Sequence, residues 1–332
     1  MPTIPTPADR PAPPDGGARR PRVLFVFVDG IGWGPDDRDT NPFARAELPN
    51  LARLLGRRPV ADGRAVRPPA LALDASMGVA GRPQSGTGQA ALITGVNTAA
   101  LLGAHRGPFP DPALRPALAA HSLWRAAHEA GASAVLATAY PPRLRAAVAA
   151  GRGRLSAVAR AAVLAGVPLR SARLGGPDGA VPPILGPRPA AGAAATPVVA
   201  DPHAAGAALA EVTRHHALTV YEHFEADMVG HRAAMAPAVA ALERLDALLG
   251  GLLAGWRDGD VIVLASDHGN IEDATSTRHS LRPAIGAWFG GGTAAVPDAV
   301  TAVAGAIRAA LGWAPMSAGA AEPKLEDRHA LV

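Results

Sequence analysis

Residues 261–273 read VIVLASDHGNIED, and the fold turns on the first five of them. Val261 to Ala265 is an unbroken apolar run, rich in β-branched residues and bounded by turn residues. That is the pattern of a strand buried on both faces of a parallel sheet. In open α/β sheets, ligands sit just beyond the carboxyl ends of such strands. Ser266, Asp267, His268, Gly269 and Asn270 follow at once, so a carboxylate and an imidazole leave the sheet side by side. Asp with His suits a borderline-hard divalent ion. Alone, the pair reads equally well as a capped loop; ligands elsewhere in the chain decide between the two.

Those ligands stand at other strand ends. Val23 to Val28 is a second buried strand, running into Asp29-Gly30-Ile31-Gly32-Trp33-Gly34. A third strand over 218–224 is followed by Asp227 and His231 in DMVGH. Their four-residue spacing puts both side chains on one face of a helical turn. His279 comes next, in TSTRHS, ahead of the apolar AIGAWFG. Three carboxylates and three imidazoles thus collect at one edge of one predicted sheet. A single ion rarely needs so many; two ions about 3.5–4 Å apart do, as in phosphatases and nucleases. A nucleophile is also present. Ser85 lies in QSGTGQ just before a predicted helix, where Gly86 and Gly88 allow close backbone approach and the helix N terminus favours an anion. The plainer reading of Ser85 is a helix cap.

The rest of the chain supplies an α/β order. Leu48-Pro49-Asn50 opens the helix LARLLGRR, and a long loop-like region runs to about Gly81. The helical run AALITGVNTAA, a helix over 122–130 and a strand over 133–139 follow. Residues 141–200 read as an insertion, a small lid over the sheet's edge, with a helical stretch over 143–164 and a Gly/Pro-broken stretch over 165–200. Helices return over 203–216, 236–254 and 300–311; Leu242, Leu245, Leu248 and Leu249 have the spacing of a core-facing stripe. The prediction is a three-layer α/β sandwich with a mostly parallel central sheet over 22–313. A Pro-rich disordered tail over 1–21 precedes it, and a loose tail over 314–332 follows.

Composition excludes several function classes. The chain has 332 residues and a formal charge of only +4, with no run of five or six like charges, so no nucleic-acid partner is expected. Lys324 is the sole lysine among 32 basic residues, a coding bias and not a binding patch. There is no cysteine, which excludes disulfides, thiolate ligands and a cysteine nucleophile. No stretch reaches the roughly 18 apolar residues of a membrane span, and the first residues lack the apolar core of a signal peptide. A cytoplasmic enzyme with a small-molecule substrate and no membrane partner is the expectation; oligomeric state is not legible.

Five motifs in order, FVFVDGIGWG, PQSGTGQAALITG, DMVGH, SDHGNIED and RHS, resemble the alkaline phosphatase superfamily. Within it they resemble the metalloenzyme branch of cofactor-independent phosphoglycerate mutase and phosphopentomutase. The resemblance implies an alkaline phosphatase-like fold and two divalent ions, Mn²⁺ or Zn²⁺. One would be held by Asp227, His231 and His279. The other would be held by Asp29, Asp267 and His268, with Ser85 bridging to it as the nucleophile. Asn270 and Glu272 would orient ligands, and Arg82, Arg106 and Arg278 would clamp phosphate. A sulfatase fits poorly, because SGTGQ is not the C/S-x-P-x-R context of that family's nucleophile. Gln89 stands where mutases of this branch commonly carry His; it hydrogen-bonds without titrating and is expected to contact substrate. The lid is also small for the branch, and a mutase must keep water from its intermediate. The implied activity is phosphoryl transfer from small phosphate esters through phosphoserine, leaning to phosphomonoester hydrolysis. A phosphomutase acting on a phosphosugar or phosphoglycerate is the alternative, and an inactive metal-binding regulatory protein is the third reading.

Overall fold

The computed structural model describes residues 21–186, 199, 201–291 and 296–316. The two expected tails lie outside the described residues apart from 21 and 314–316, as do 187–198 and 200 of the expected lid.

Six strands, β1 (Val23–Val28), β2 (Ala70–Leu73), β3 (Ala134–Leu136), β4 (Leu218–His223), β5 (Val261–Ala265) and β6 (Ala284–Phe289), form one sheet in the order β2-β6-β5-β1-β4-β3. β1 runs parallel to both of its neighbours, β4 and β5, and β3 runs parallel to β4. β6 is antiparallel to β5 and β2 is antiparallel to β6. The sheet is mostly parallel, as predicted, but two of its strands were not. β2 lies inside the stretch expected to be loop. Four residues of Ala and Leu, without β-branching, are too few for a period to show. Pairing with β6 makes it a strand, and the Trp33 indole donates to the Leu71 carbonyl at 2.9 Å.

Twelve helices are described: α1 (Pro42–Arg45), α2 (Pro49–Leu55), α3 (Ser85–Thr94), α4 (Thr98–Leu102), α5 (Arg115–His121), α6 (Leu123–Glu129), α7 (Pro142–Ala149), α8 (Ala157–Leu164), α9 (Pro202–Thr213), α10 (Glu225–Gly230), α11 (Met235–Ala254) and α12 (Val303–Ala310). None is long and apolar enough to cross a membrane. Alternation along β1 assigns the layers. Val23, Phe25 and Phe27 face a core shared with α3, α5, α6, α8 and α12. Leu24, Val26 and Val28 face one shared with α1, α2, α9 and α11. All six are fully buried.

The stretch expected to be helical over 143–164 is two helices, broken around Gly151 and Gly153. They differ in burial. α7 has no buried residue. α8 buries Ala157, Val158, Ala159, Ala161 and Ala162 against α3 and α5, and the Trp124 indole donates to the Val158 carbonyl at 3.2 Å. α8 is therefore part of a core layer.

Strand register positions the site. β1 and β5 pair from Val23↔Val261 to Phe27↔Ala265. The same register carried two residues further sets Asp29 beside Asp267. Alignment persists past the strand ends, because Asp29 N donates to His223 O at 2.9 Å and Ile31 N donates to Ser266 Oγ at 3.0 Å. The start of α3 rests on the end of β5. A Cβ added to Gly88 would meet Asp267 Cβ at 2.8 Å and Asp267 O at 2.9 Å, so only glycine permits this approach.

Gly88→Ala is expected to cost about 1–3 kcal/mol in urea unfolding, by overpacking that contact. Gly305→Ala, in α12 with nothing within 4 Å, should instead stabilise by about 0.5–1 kcal/mol.

Candidate active site

Asp29 leaves β1, and Asp267 and His268 leave β5. All three are buried, and each offers a ligand atom within 4.8 Å of the others. His268 Nε2 lies 3.4 Å from Asp29 Oδ1, 3.5 Å from Asp267 Oδ2 and 3.0 Å from Ser85 Oγ. Asp29 Oδ1 and both Asp267 oxygens have no hydrogen-bond partner. Buried carboxylate oxygens without partners are costly, and a divalent ion supplies what they lack. Donors around a tetrahedral ion with bonds of about 2.1 Å stand about 3.4 Å apart, so this donor set fits such an ion. Burial, then the charges of Asp267 and Asp227, hold the Asp29 carboxyl well above its usual range. Burial, then the charge of Asp227, pushes Asp267 up to about 8. Burial, then neighbouring His279, pushes His268 down to about 3, so its ring is neutral.

Asp227 lies in α10, His231 just after it, and His279 in the loop before β6; these also lie within 4.8 Å of one another. His231 Nε2 is 3.2 Å from Asp227 Oδ2, and His279 Nε2 is 3.5 Å from Asp227 Oδ1. The far ring nitrogens are anchored: His231 Nδ1 donates to Thr277 O and His279 Nδ1 to Pro83 O, both at 2.8 Å. That fixes ring orientation and turns each Nε2 toward the centre. Burial pushes Asp227 up, but hydrogen bonds from His231 and His279 outweigh it and hold the carboxyl far below its usual range. The hydrogen bond to Asp227 raises His231 to about 9. His279 is also raised, burial being outweighed by Asp227. The His268 and His279 rings stack with centroids 3.7 Å apart, joining the two triplets.

The remaining expected residues divide. Ser85 is the first residue of α3, and its side chain turns to His268 instead of capping the helix. Asn270 Nδ2 donates to Asp227 Oδ1 at 2.7 Å. Glu272 makes no hydrogen bond to any of the six ligand candidates. Its carboxylate accepts from Gly32 N at 3.0 Å, Asn270 N at 2.8 Å and the Ser280 hydroxyl, tying together the loops that follow β1 and β5. Gln89, expected to contact substrate, has both ends of its amide bonded to protein groups. It is 2% exposed, its Nε2 donates to Asp29 Oδ2 at 3.1 Å, and its Oε1 accepts from Ala157 N at 3.1 Å. Arg82 donates to His279 O at 2.7 Å. With Arg278 and Arg282 it lines an open cavity of about 380 Å³ beside His279. Arg106 is exposed and lies outside that lining.

Two features escaped the sequence reading. Arg282 belongs to the cavity but carries no motif. Glu222, in β4, is fully buried. It accepts from Tyr140 Oη and Ser156 Oγ, and burial pushes it up to about 7. An acid inside the apolar strand LTVYEH was the available signal, since charged residues are rarely buried without a role.

Residues 194–297 match the family model described as Metalloenzyme superfamily. That range contains Asp227, His231, Asp267, His268 and His279. Over 86 residues the chain is 34% identical to a 2,3-bisphosphoglycerate-independent phosphoglycerate mutase of Wolinella succinogenes, a match spanning 26% of this chain and only 18% of that protein. Among solved structures, the PH0037 protein of Pyrococcus horikoshii has a TM-score of 0.55 at 12% identity, covering 89% of this chain and 98% of that one; at this identity the likeness is one of fold. An alkaline phosphatase from the Antarctic bacterium TAB5 has a TM-score of 0.48 at 11% identity, covering 88% and 98%. Over 194–297, which holds the motifs DMVGH, SDHGNIED and RHS, the resemblance is matched by the Metalloenzyme superfamily model.

The raised carboxyls give a pH signature. Folding favours protonated Asp29 and Asp267. Against 3.8 for an ordinary aspartate, their contribution is lost as pH rises from about 4 through about 8. The lowered His268 opposes that loss up to about 6.5, and the raised His231 adds to it above, so ion-free protein should lose stability between about pH 6.5 and 8. An ion displaces those protons. Thermal unfolding after chelation should therefore show Tm falling across that window, with Mn²⁺ restoring it. Titration calorimetry at pH 7 in buffers of different ionisation enthalpy should show protons released on Mn²⁺ uptake.

Proposed function

Taking the chain as a metalloenzyme-superfamily protein distantly related to phosphoglycerate mutase, we propose that it is a two-metal phosphoryl-transfer enzyme. It acts on small phosphate esters through a phosphoserine at Ser85, with water as the final acceptor. The observation that carries this reading is the 3.0 Å separation of Ser85 Oγ and His268 Nε2, at the edge of a triplet in which three of the four carboxylate oxygens lack hydrogen-bond partners. Divalent ions held by Asp29, Asp267 and His268 and by Asp227, His231 and His279 would offset phosphoryl charge and lower the pKa of the serine hydroxyl.

Ser85 Oγ attacks phosphorus in line and loses its proton as the ester P–O bond breaks. The departing alkoxide takes up a proton. Water then attacks phosphoserine, releasing inorganic phosphate and restoring the hydroxyl. The N terminus of α3 favours the phosphoryl charge. Arg82, Arg278 and Arg282 supply planar donors for phosphate or other anionic groups entering the cavity beside His279. Hydrolysis is favoured because α8 belongs to a core layer, which leaves less of 141–200 to exclude water, and because the cavity is open. The second reading is a phosphomutase acting on a phosphosugar or phosphoglycerate. It draws on the 34% identity to a protein named as a phosphoglycerate mutase.

Mn²⁺-loaded protein should release phosphate from p-nitrophenyl phosphate. Ser85→Ala should lower that rate at least about a thousandfold while ion binding persists. Failure to turn over any phosphate ester, with ions bound, would replace the enzyme by a regulatory metal-binding protein. A ³¹P spectrum showing an isomeric ester and no free phosphate would replace hydrolysis by the mutase reading.

A further inference from the structure

We propose that Gln89 is a positioning residue that makes the seating of α8 a condition for tight ion binding by Asp29, Asp267 and His268; the proposal rests on reading those three as ion ligands. The amide orientation of Gln89 follows from its neighbours. Ala157 N–H can only donate, so the oxygen of the amide faces it at 3.1 Å, and the NH₂ group must face Asp29 Oδ2 at 3.1 Å. At 2% exposure, water does not compete for either bond. With Oδ2 held, the Asp29 carboxylate cannot rotate freely. Its other oxygen, which has no hydrogen-bond partner, stays 3.4 Å from His268 Nε2.

The far end of this link is as well located as the near end. Ser156 caps α8, its Oγ accepting from Ala159 N at 3.0 Å. The same hydroxyl donates to Glu222, which also takes the Tyr140 hydroxyl. Glu222 pairs in register with Phe27, two residues before Asp29. The start of α8 is thus referenced to the strand that carries Asp29, and its buried face packs on the helix that carries Gln89. Outer partners that fix a ligating group typically change ion affinity by 10–100-fold when removed.

Two substitutions separate this link from general packing. Gln89→Met keeps the length and removes both hydrogen bonds. Ala157→Pro removes the N–H that holds the amide oxygen, at the cost of added ring carbons at a buried position. Proline is tolerated at the first helical position, and Ser156, with ψ 162°, is already outside the helical region that a following proline disfavours. Mn²⁺ equilibrium dialysis on the full chain reads both affinities, and Asp227→Asn assigns which belongs to which triplet. Each variant should weaken the Asp29 triplet about tenfold or more and leave the other unchanged, with the native circular dichroism spectrum retained. Should Ala157→Pro fail to fold, Gln89→Met carries the test. Wild-type affinity in Gln89→Met, wild-type affinity in a folded Ala157→Pro, or equal weakening of both triplets, would overturn the proposal. Wild-type protein that binds no Mn²⁺ would overturn the ligand reading beneath it, whereas a protein that binds ions but turns over no ester would leave it intact.

Discussion

The parallel register between β1 and β5 is the constraint on which the candidate site depends. Val23 to Phe27 pairs with Val261 to Ala265, and both strands are buried on both faces. A slip of one residue would exchange the faces of every side chain in the strand. It would also separate Asp29 from Asp267. Apolar burial on both sides of the sheet therefore does more than stabilise the fold. It holds two like-charged groups at one level at the strand ends, where neither would gather alone. The bond from Ile31 N to Ser266 Oγ extends that alignment beyond the last paired residues.

The two triplets solve the resulting electrostatic problem differently. Asp227 is compensated within its own group, since His231 and His279 are both raised and it is lowered. Asp29 and Asp267 have uncharged partners beside them, the neutral ring of His268 and the amide of Gln89, and both are raised. An ion entering the first group competes with protons on imidazoles; an ion entering the second competes with protons on carboxyls. Ser85 stands beside the second, less compensated group. Positive charge added there acts on the hydroxyl directly, and that is where the proposed chemistry needs it.

Much of this was legible in the sequence because it is carried by short patterns. The strands ending at Asp29 and Asp267 are apolar runs with abrupt polar ends, and DMVGH encodes its geometry in its spacing. What was not legible depends on partners remote in sequence. β2 and β6 are strands because they pair with each other and with β5, and ALAL has no period of its own. α8 reads as part of a lid because Ala-rich helices carry little directional signal; its burial is decided by α3 and α5. The role of Gln89 was hidden most completely, because its second partner is the main-chain N–H of an alanine 68 residues away. No side-chain pattern reports such a bond. Glu222 could have been noticed, as an acid within an apolar strand, but its partners Tyr140 and Ser156 are remote in sequence, 82 and 66 residues away.

The central claim is that the gathered carboxylates and imidazoles exist to make Ser85 a phosphoryl acceptor. Acid quenching of Mn²⁺-loaded protein during turnover of a phosphate ester, followed by peptide mass spectrometry, tests it most directly. The account predicts a phosphoryl group on Ser85 and on no other residue. Turnover with Ser85 unmodified, or with the phosphoryl group trapped on a different side chain, would contradict it.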